Sequence, residues 1–220
     1  MTPSPFFTIQ KDIQTQFVIE KSRFICTLRK VADEGDALAA MSLLKKRYWD
    51  AAHNCSAYIV GGAAPCQKAG DDGEPAGTAG LPMLKVLEKN NLQNVLAVVT
   101  RYFGGIKLGA GGLARAYARS VAEAVAAAGT ARRQLMFDCA FSESPHKIGK
   151  AANFLYGSDL FSVLSVEYGQ DALVSIRLPA DNFRQAEDFL SGLFSRRLSL
   201  TVGGEHYSEI PLAKEGGNRL

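Results

Sequence analysis

Residues 104–112, GGIKLGAGG, follow a nearly continuous apolar run, NVLAVVTR at 94–101, and precede an alanine-rich stretch beginning at Leu113. A buried strand, a glycine-rich connection and a helix would present free helical N–H groups and the positive end of a helix dipole, which together suit an anion. Gly104, Gly105, Gly109, Gly111 and Gly112 permit positive φ and close backbone approach. Lys107 adds a mobile cation, and Arg115 and Arg119 stand one turn apart at the start of the helix. Arg101, Tyr102 and Phe103 bring a cation and two aromatic faces to the strand end. Phosphate, a nucleotide or an RNA backbone fits such a surface. The segment lacks the Gly-Lys-Ser/Thr of a Walker A loop, and a glycine connection before a helix also serves as a plain tight turn. Lys21 and Arg23, within KSRF, offer a second basic patch beside an aromatic. A strand edge guarded by charge has the same composition.

The acidic group Asp71, Asp72 and Glu74 admits four readings. Clustered carboxylates suit a hard divalent cation, one of them could act as a general base, and Asp-Gly and Glu-Pro are turn-forming pairs. The fourth is structural: the carboxylates pair with Arg101, Lys107 or Arg115 and lock the glycine segment. Thr78 is placed to cap the next helix. His53 starts a strand, where it is either a satisfied structural histidine or a proton-transfer group. His53 and Cys55 share a strand face, but no second half-site with metal-ligand spacing follows, so no metal is assigned. No cofactor motif is present, and none is expected.

The elements that must position these groups can be read from pattern. Residues 16–28 are β-rich and broken by the polar group 20–23, giving two short strands or one bent one. Residues 36–49 form an amphipathic helix with Leu38, Met41, Leu44 and Tyr48 on one stripe and a basic last turn. A strand at 55–60 ends at Gly61–Gly62, and a polar loop spans 63–77. A helix with Pro82 near its first turn carries Leu84 and Leu87, the strand 94–101 is buried, and a helix from Leu113 stops at Gly129. The second half reads as strand 135–141, helix 144–156, a hairpin of 161–167 and 172–178, a helix capped by Asp181, a strand at 198–202 and a polar, frayed tail after Pro211. That order, β-α-β-β-α-β, is ferredoxin-like.

The chain has 220 residues, 47% hydrophobic and 21% charged, which excludes a disordered chain. No apolar run spans a bilayer and no signal-peptide pattern opens the sequence, so the expected location is the cytoplasm with no membrane partner. The four cysteines form no CxxC pair. Residues 1–133 hold 17 Lys and Arg against 11 Asp and Glu; residues 134–220 hold 8 against 11. A basic first half and an acidic second half suggest separate domains and a polyanionic partner for the first.

Taken together, KSRF (21–24), AHNC with AY (52–58), DDGEPAGTAGLPMLKVL (71–87) and NVLAVVTRYFGGIKLGAGGLARAY (94–117) resemble the IMPACT/YigZ family, in that order, over about the first 130 residues. The second half resembles the smaller C-terminal domain of bacterial members, which is similar to domains of elongation factor G. The resemblance implies an α+β protein with two domains. Residues 1–132 would take the fold of the second domain of ribosomal protein S5, also found in translation factors and small-molecule kinases, and residues 133–220 a ferredoxin-like fold. It implies a link to translation control. The eukaryotic relative competes for the ribosome-associated activator of an initiation-factor kinase, but uses an additional N-terminal domain that does not precede this segment here.

The expected function is recognition of RNA, the ribosome or a translation factor through the basic glycine-rich face. Two other readings stay open. One is a protein–protein module without a small ligand. The other is an enzyme acting on a phosphorylated or nucleotide-like molecule, although Leu113-Ala114 replaces the Ser-Ser pair of the related kinases. Changing Arg101 and Lys107 to alanine is expected to abolish binding and leave the fold intact.

Overall fold

The computed structural model describes residues 5–61 and 65–212. The chain divides into two compact units, residues 5–133 with 209–212, and Gln134–Ser208. It passes from the first to the second along one long strand and returns along another. The elements are mixed α+β, as the sequence pattern led us to expect.

In the first unit, β1 (Phe6–Ile9) lies antiparallel to residues 130–133 of β7 (Thr130–Glu143). The main sheet contains β2 (Ile13–Ile19), β3 (Ser22–Lys30), β4 (His53–Val60), β5 (Cys66–Gly70) and β6 (Val95–Tyr102), in the order β2-β3-β6-β4-β5, with every neighbouring pair antiparallel. Helix α1 (Glu34–Arg47) covers one face; α2 (Gly80–Lys89) and α3 (Gly109–Ala128) cover the other. This arrangement explains the continuous apolar run of β6. Val95, Ala97 and Val99 pack toward α2 and α3, while Leu96 and Val98 pack toward α1, so both faces of the strand are buried.

β2 and β3 are two strands joined by a two-residue turn, with Ile19 opposite Ser22. Glu20 and Lys21 both take positive φ, 46° and 61°, as this tight hairpin requires. The polar loop expected at 63–77 contains a strand instead. β5 is a polar edge strand paired to β4 from Ser56 to Val60, and its alternation was too weak to read. Residues 62–64, at the expected end of β4, lie outside the described residues. The apolar stripe of α1 is also rotated from its expected position. Ala37, Ala40 and Leu44 are buried, with Met41 and Tyr48 packed beside them, and Leu38 is 51% exposed. Alanines make the close contact because they let the helix backbone approach the sheet. α3 begins at Gly109, not Leu113, so the second half of the glycine segment is its first turn rather than a loop.

The second unit contains the rest of β7, α4 (Pro145–Tyr156), β8 (Ser162–Tyr168), β9 (Ala172–Pro179), a 3₁₀ turn (Ala180–Asn182), α5 (Phe183–Leu193) and β10 (Thr201–Pro211). Its sheet order, β10-β7-β9-β8, is that of a ferredoxin-like β-α-β-β-α-β fold. Ile148, Leu155, Val174, Ile176, Leu178, Ala186 and Leu190 lie within an apolar core. Two details differ from the sequence pattern. Asn182, not Asp181, occupies the position before α5, with Asp181 inside the 3₁₀ turn. The last strand starts at Thr201 because Leu198 and Leu200 turn inward before it to close the core. The expected frayed tail falls largely on 213–220, outside the described residues. Among the described residues no helix is long and apolar enough to cross a membrane.

Candidate functional site

Ser22, Glu74 and Arg101 are buried polar residues drawn from three distant segments, and they meet. Register sets the meeting point. Arg101 sits on β6 between Phe24 on β3 and His53 on β4. Its Nη1 donates to Glu74 Oε1 at 2.7 Å, with both side chains almost wholly buried. Its Nη2 lies 3.4 Å from Ser22 Oγ, which also accepts from the Gly104 N–H at 3.1 Å. Tyr117, one turn after Leu113 on α3, donates its hydroxyl to Glu74 Oε1 at 2.8 Å. His53 Nε2 stands 3.9 Å from Glu74 Oε2, and its Nδ1 lies 2.8 Å from the Asp72 carbonyl. Cys55 donates its thiol to the Asp71 carbonyl at 2.9 Å. Glu74 is thus the centre of a polar hub that joins β3, β4, β6, α3 and the 71–77 turn.

Each carboxylate of the acidic group has a separate task. Asp71 accepts from the N–H groups of Gly77, Ala79 and Gly80, which caps the start of α2. Thr78 does not cap that helix; its hydroxyl donates to the Pro75 carbonyl at 2.7 Å. Asp72 accepts from the Asn54 N–H at 2.7 Å and pairs with Lys45 at 2.7 Å. Glu74 takes Arg101, which was one arm of the locking possibility; Lys107 and Arg115 are not its partners. Burial pushes the Asp71 carboxyl up, but its three N–H donors outweigh this and hold it below the usual value. Burial is also the main reason the Cys55 thiol is pushed up to about 12, and it raises the Tyr117 hydroxyl strongly. These are the marks of a neutral, structural thiol and phenol rather than of a nucleophile. Among the described residues no three His, Cys, Asp or Glu side chains gather as metal ligands.

The surface beside the hub is built by the connection from β6 to α3. Phe103, Gly105, Ile106 and Lys107 are exposed, as are Gly109, Gly111 and Arg115 on the first turn of α3. Leu108 occupies the cap position and makes no side-chain cap, so among the described residues the leading N–H groups of the helix have no capping acceptor. The Arg115 guanidinium folds back over this turn, with Nη1 3.5 Å from where a Cβ on Gly111 would stand. Gly104 is required where it is: a Cβ there would lie 2.0 Å from the Lys21 carbonyl carbon. That contact docks the β2–β3 turn, with exposed Lys21, against the glycine segment. Arg23 lies over the Tyr102 ring at 4.4 Å, and Tyr102 donates to Asp50 at 2.9 Å. Lys21, Lys107 and Arg115 form no ion pair among the described residues.

The fold therefore brings Lys21, Arg23, Tyr102, Phe103, Gly104, Gly105, Lys107, Gly109, Gly111, Gly112 and Arg115 to one end of the first unit. It ties Arg101 and Glu74 to this end through Ser22, Phe103 and Tyr117, while Asp71, Asp72 and Thr78 bond to the 71–80 turn, β4 and α1 instead, and His53 is partly exposed. Sequence reading weighed Cys55 only as half of a metal site with His53, and it gave Ser22 and Tyr117 no role beyond their place in the motifs. Tyr117 left a signal, a polar side chain on the apolar face of a periodic helix, which marks a buried polar contact; Ser22, inside the polar group 20–23, left none.

These features define a domain assembled around a buried acid–arginine hub, with a basic, glycine-rich rim. Residues 20–125 match the Impact N-terminal domain. The chain belongs to the IMPACT family. It is 48% identical over 166 residues to IMPACT family member YvyE of Bacillus subtilis, covering 76% of each chain. It is 35% identical over 164 residues to IMPACT family member YigZ of Escherichia coli, covering 74% of this chain and 80% of that one. A solved structure described as a hypothetical protein superimposes with a TM-score of 0.58 at 29% identity, over 93% of this chain and 99% of that one.

Proposed function

We propose that this protein is a translation-linked binding protein that recognises RNA, bare or within the ribosome, through the rim formed by the β2–β3 turn, residues 102–108 and the first turn of α3. The observation that carries this reading is the set Lys21, Lys107 and Arg115, three exposed cations that have no acidic partner among the described residues, beside a helix start without a side-chain cap. Cations left unpaired on a protein surface are available to phosphate oxygens, and helix N–H groups add donors for the same atoms. The basic balance of residues 1–133 agrees with a polyanionic partner. The carboxylates that an enzymatic reading would need are engaged with Arg101, Lys45 and backbone N–H groups, which favours binding over catalysis.

Filter binding of a structured RNA across a salt series tests the proposal. Three phosphate contacts give a log–log slope of about −2 to −3, and alanine at Lys21, Lys107 or Arg115 reduces that slope by about one each. Weak binding at low salt that does not change with added salt would overturn it. One observation favours a second reading, a protein-interaction module. Ile106 is exposed on the same connection, and Trp49, 82% exposed, belongs to a turn that Asp50 ties to Tyr102 at the end of β6. In that case a protein partner would be retained by the triple alanine variant and lost on replacing Ile106 and Trp49.

A further inference from the structure

The Arg101 guanidinium lies over two aromatic rings, Phe24 at 5.4 Å and Phe103 at 5.5 Å. Phe24 in turn stacks on Phe17, with centroids 5.4 Å apart and planes 10° from parallel. Arg101 is held from the side by Glu74 at 2.7 Å and is 5% exposed, so the cation cannot leave. Phe103 therefore sits on a fixed, buried cation while remaining 52% exposed. One face of the ring is turned to Arg101, and about half of the residue stays accessible. An exposed phenylalanine on a flexible connection would lose side-chain freedom on binding; this one is already held in place. The backbone after it is fixed too, because Gly104 packs directly on the Lys21–Ser22 peptide.

We infer that Phe103 is a stacking platform for an unpaired nucleobase, and that the rim takes single-stranded rather than duplex RNA. This rests on the proposed RNA-binding reading and deepens it. Bases inside a duplex stack on one another and present no free face to a surface ring, whereas a single strand offers one face per nucleotide. The cations around Phe103 complete the arrangement. Lys21 flanks it through the docked turn and Lys107 follows it by four residues, so a backbone held by the cations can present a base to the ring. The complementary chemistry is a π-face joined to phosphates.

Fluorescence anisotropy with the full chain tests this, using three probes: a single-stranded RNA of about twelve nucleotides, the same RNA annealed to its complement, and an abasic strand of equal length. The single strand binds about tenfold or more tighter than the other two, the loss expected for one base–aromatic stack. Phe103→Leu, which keeps apolar bulk over Arg101, brings the single strand down to the abasic level, while Phe103→Trp retains tight binding. Circular dichroism of both variants shows that they are folded. If Phe103→Leu binds the single strand as the wild type does, or the abasic strand binds equally well, the platform is overturned. When all three probes still respond to salt and to Lys107→Ala, the cationic rim survives that failure. If no probe binds at low salt, both the platform and the RNA reading fall.

Discussion

Residues 5–133 bury a glutamate and an arginine against each other, whereas the ion pairs of residues 134–208 sit at the rim of an apolar core. Glu74 and Arg101 are 3% and 6% exposed in their side chains. Asp138 and Arg177, by contrast, are 35% and 40% exposed, and the buried Glu143 reaches out to Arg196 and Lys147, which are half exposed. The second core, from Phe141 to Leu200, can exchange one apolar residue for another of similar volume at modest cost. The first unit has no such freedom at its hub, since removing one member strands the others in a buried site. That difference explains why recognisable motifs crowd the first unit and why the second is read only as a pattern of strands and helices.

The largest expected effect comes from breaking the hub. Arg101→Met leaves Glu74 buried without its cation and costs about 3–5 kcal/mol in chemical denaturation. Pairing it with Glu74→Leu restores most of that loss, because two apolar groups need no partner. If the single replacement costs under about 1 kcal/mol, the hub does not organise the first unit, and the contrast with the second fails. The expectation that Arg101→Ala would leave the fold intact is withdrawn on the same ground: its guanidinium is a supporting group, and binding tests belong to Lys21, Lys107, Arg115 and Phe103.

A smaller effect follows from Asp71→Ala, which strips three N–H groups at the start of α2 of their acceptor and costs about 1–2 kcal/mol at neutral pH. Asp71 is held below its ordinary value, so it stabilises the fold above about pH 4 and loses that contribution as pH falls through its folded value. The alanine variant should therefore lose less stability between about pH 4 and pH 3 than the wild type, followed by denaturant midpoints. Arg196 and Arg177 hold Glu143 and Asp138 low in the second unit, so part of the acid slope remains in the variant. The smallest effect is expected for Arg177→Ala. Its pair is more than a third exposed, and the loss stays within about 1 kcal/mol and fades in high salt.

The sequence made some elements plain and hid others for identifiable reasons. β6 was legible because both its faces are buried and its apolar run is unbroken. The β-α-β-β-α-β order was legible because each amphipathic element faces one core. β5 was hidden because an edge strand with exposed Gln67, Lys68 and Ala69 has no apolar alternation, and its place depends on register with β4. The first turn of α3 read as loop because glycine is a poor helix former, and Gly109–Gly112 is helical only because the rest of α3 is anchored by Leu113, Ala116 and Tyr117. The cap of α2 was hidden by distance: Asp71 reaches Gly80 from nine residues away, while Thr78 stood in the usual place. At the site, the cations and glycines could be named from spacing alone. Which acid held which cation could not, because the answer depends on strands that meet only in the folded chain.

Glu20 and Lys21 hold the β2–β3 turn in left-handed backbone without glycine or asparagine. Each such residue costs about 1–2 kcal/mol relative to glycine, and strain of this kind persists only where the surroundings over-determine the backbone. Here the surroundings are Gly104, whose missing side chain lets the turn lie flat against it. The three positions consequently form one heritable unit. A lineage that enlarges residue 104 displaces the turn and gains by relaxing 20–21 to Asn-Gly, whereas one that keeps the glycine can carry a charged residue at the tip. Substitutions at these sites should travel together among descendants of this chain, although more than eighty residues separate them.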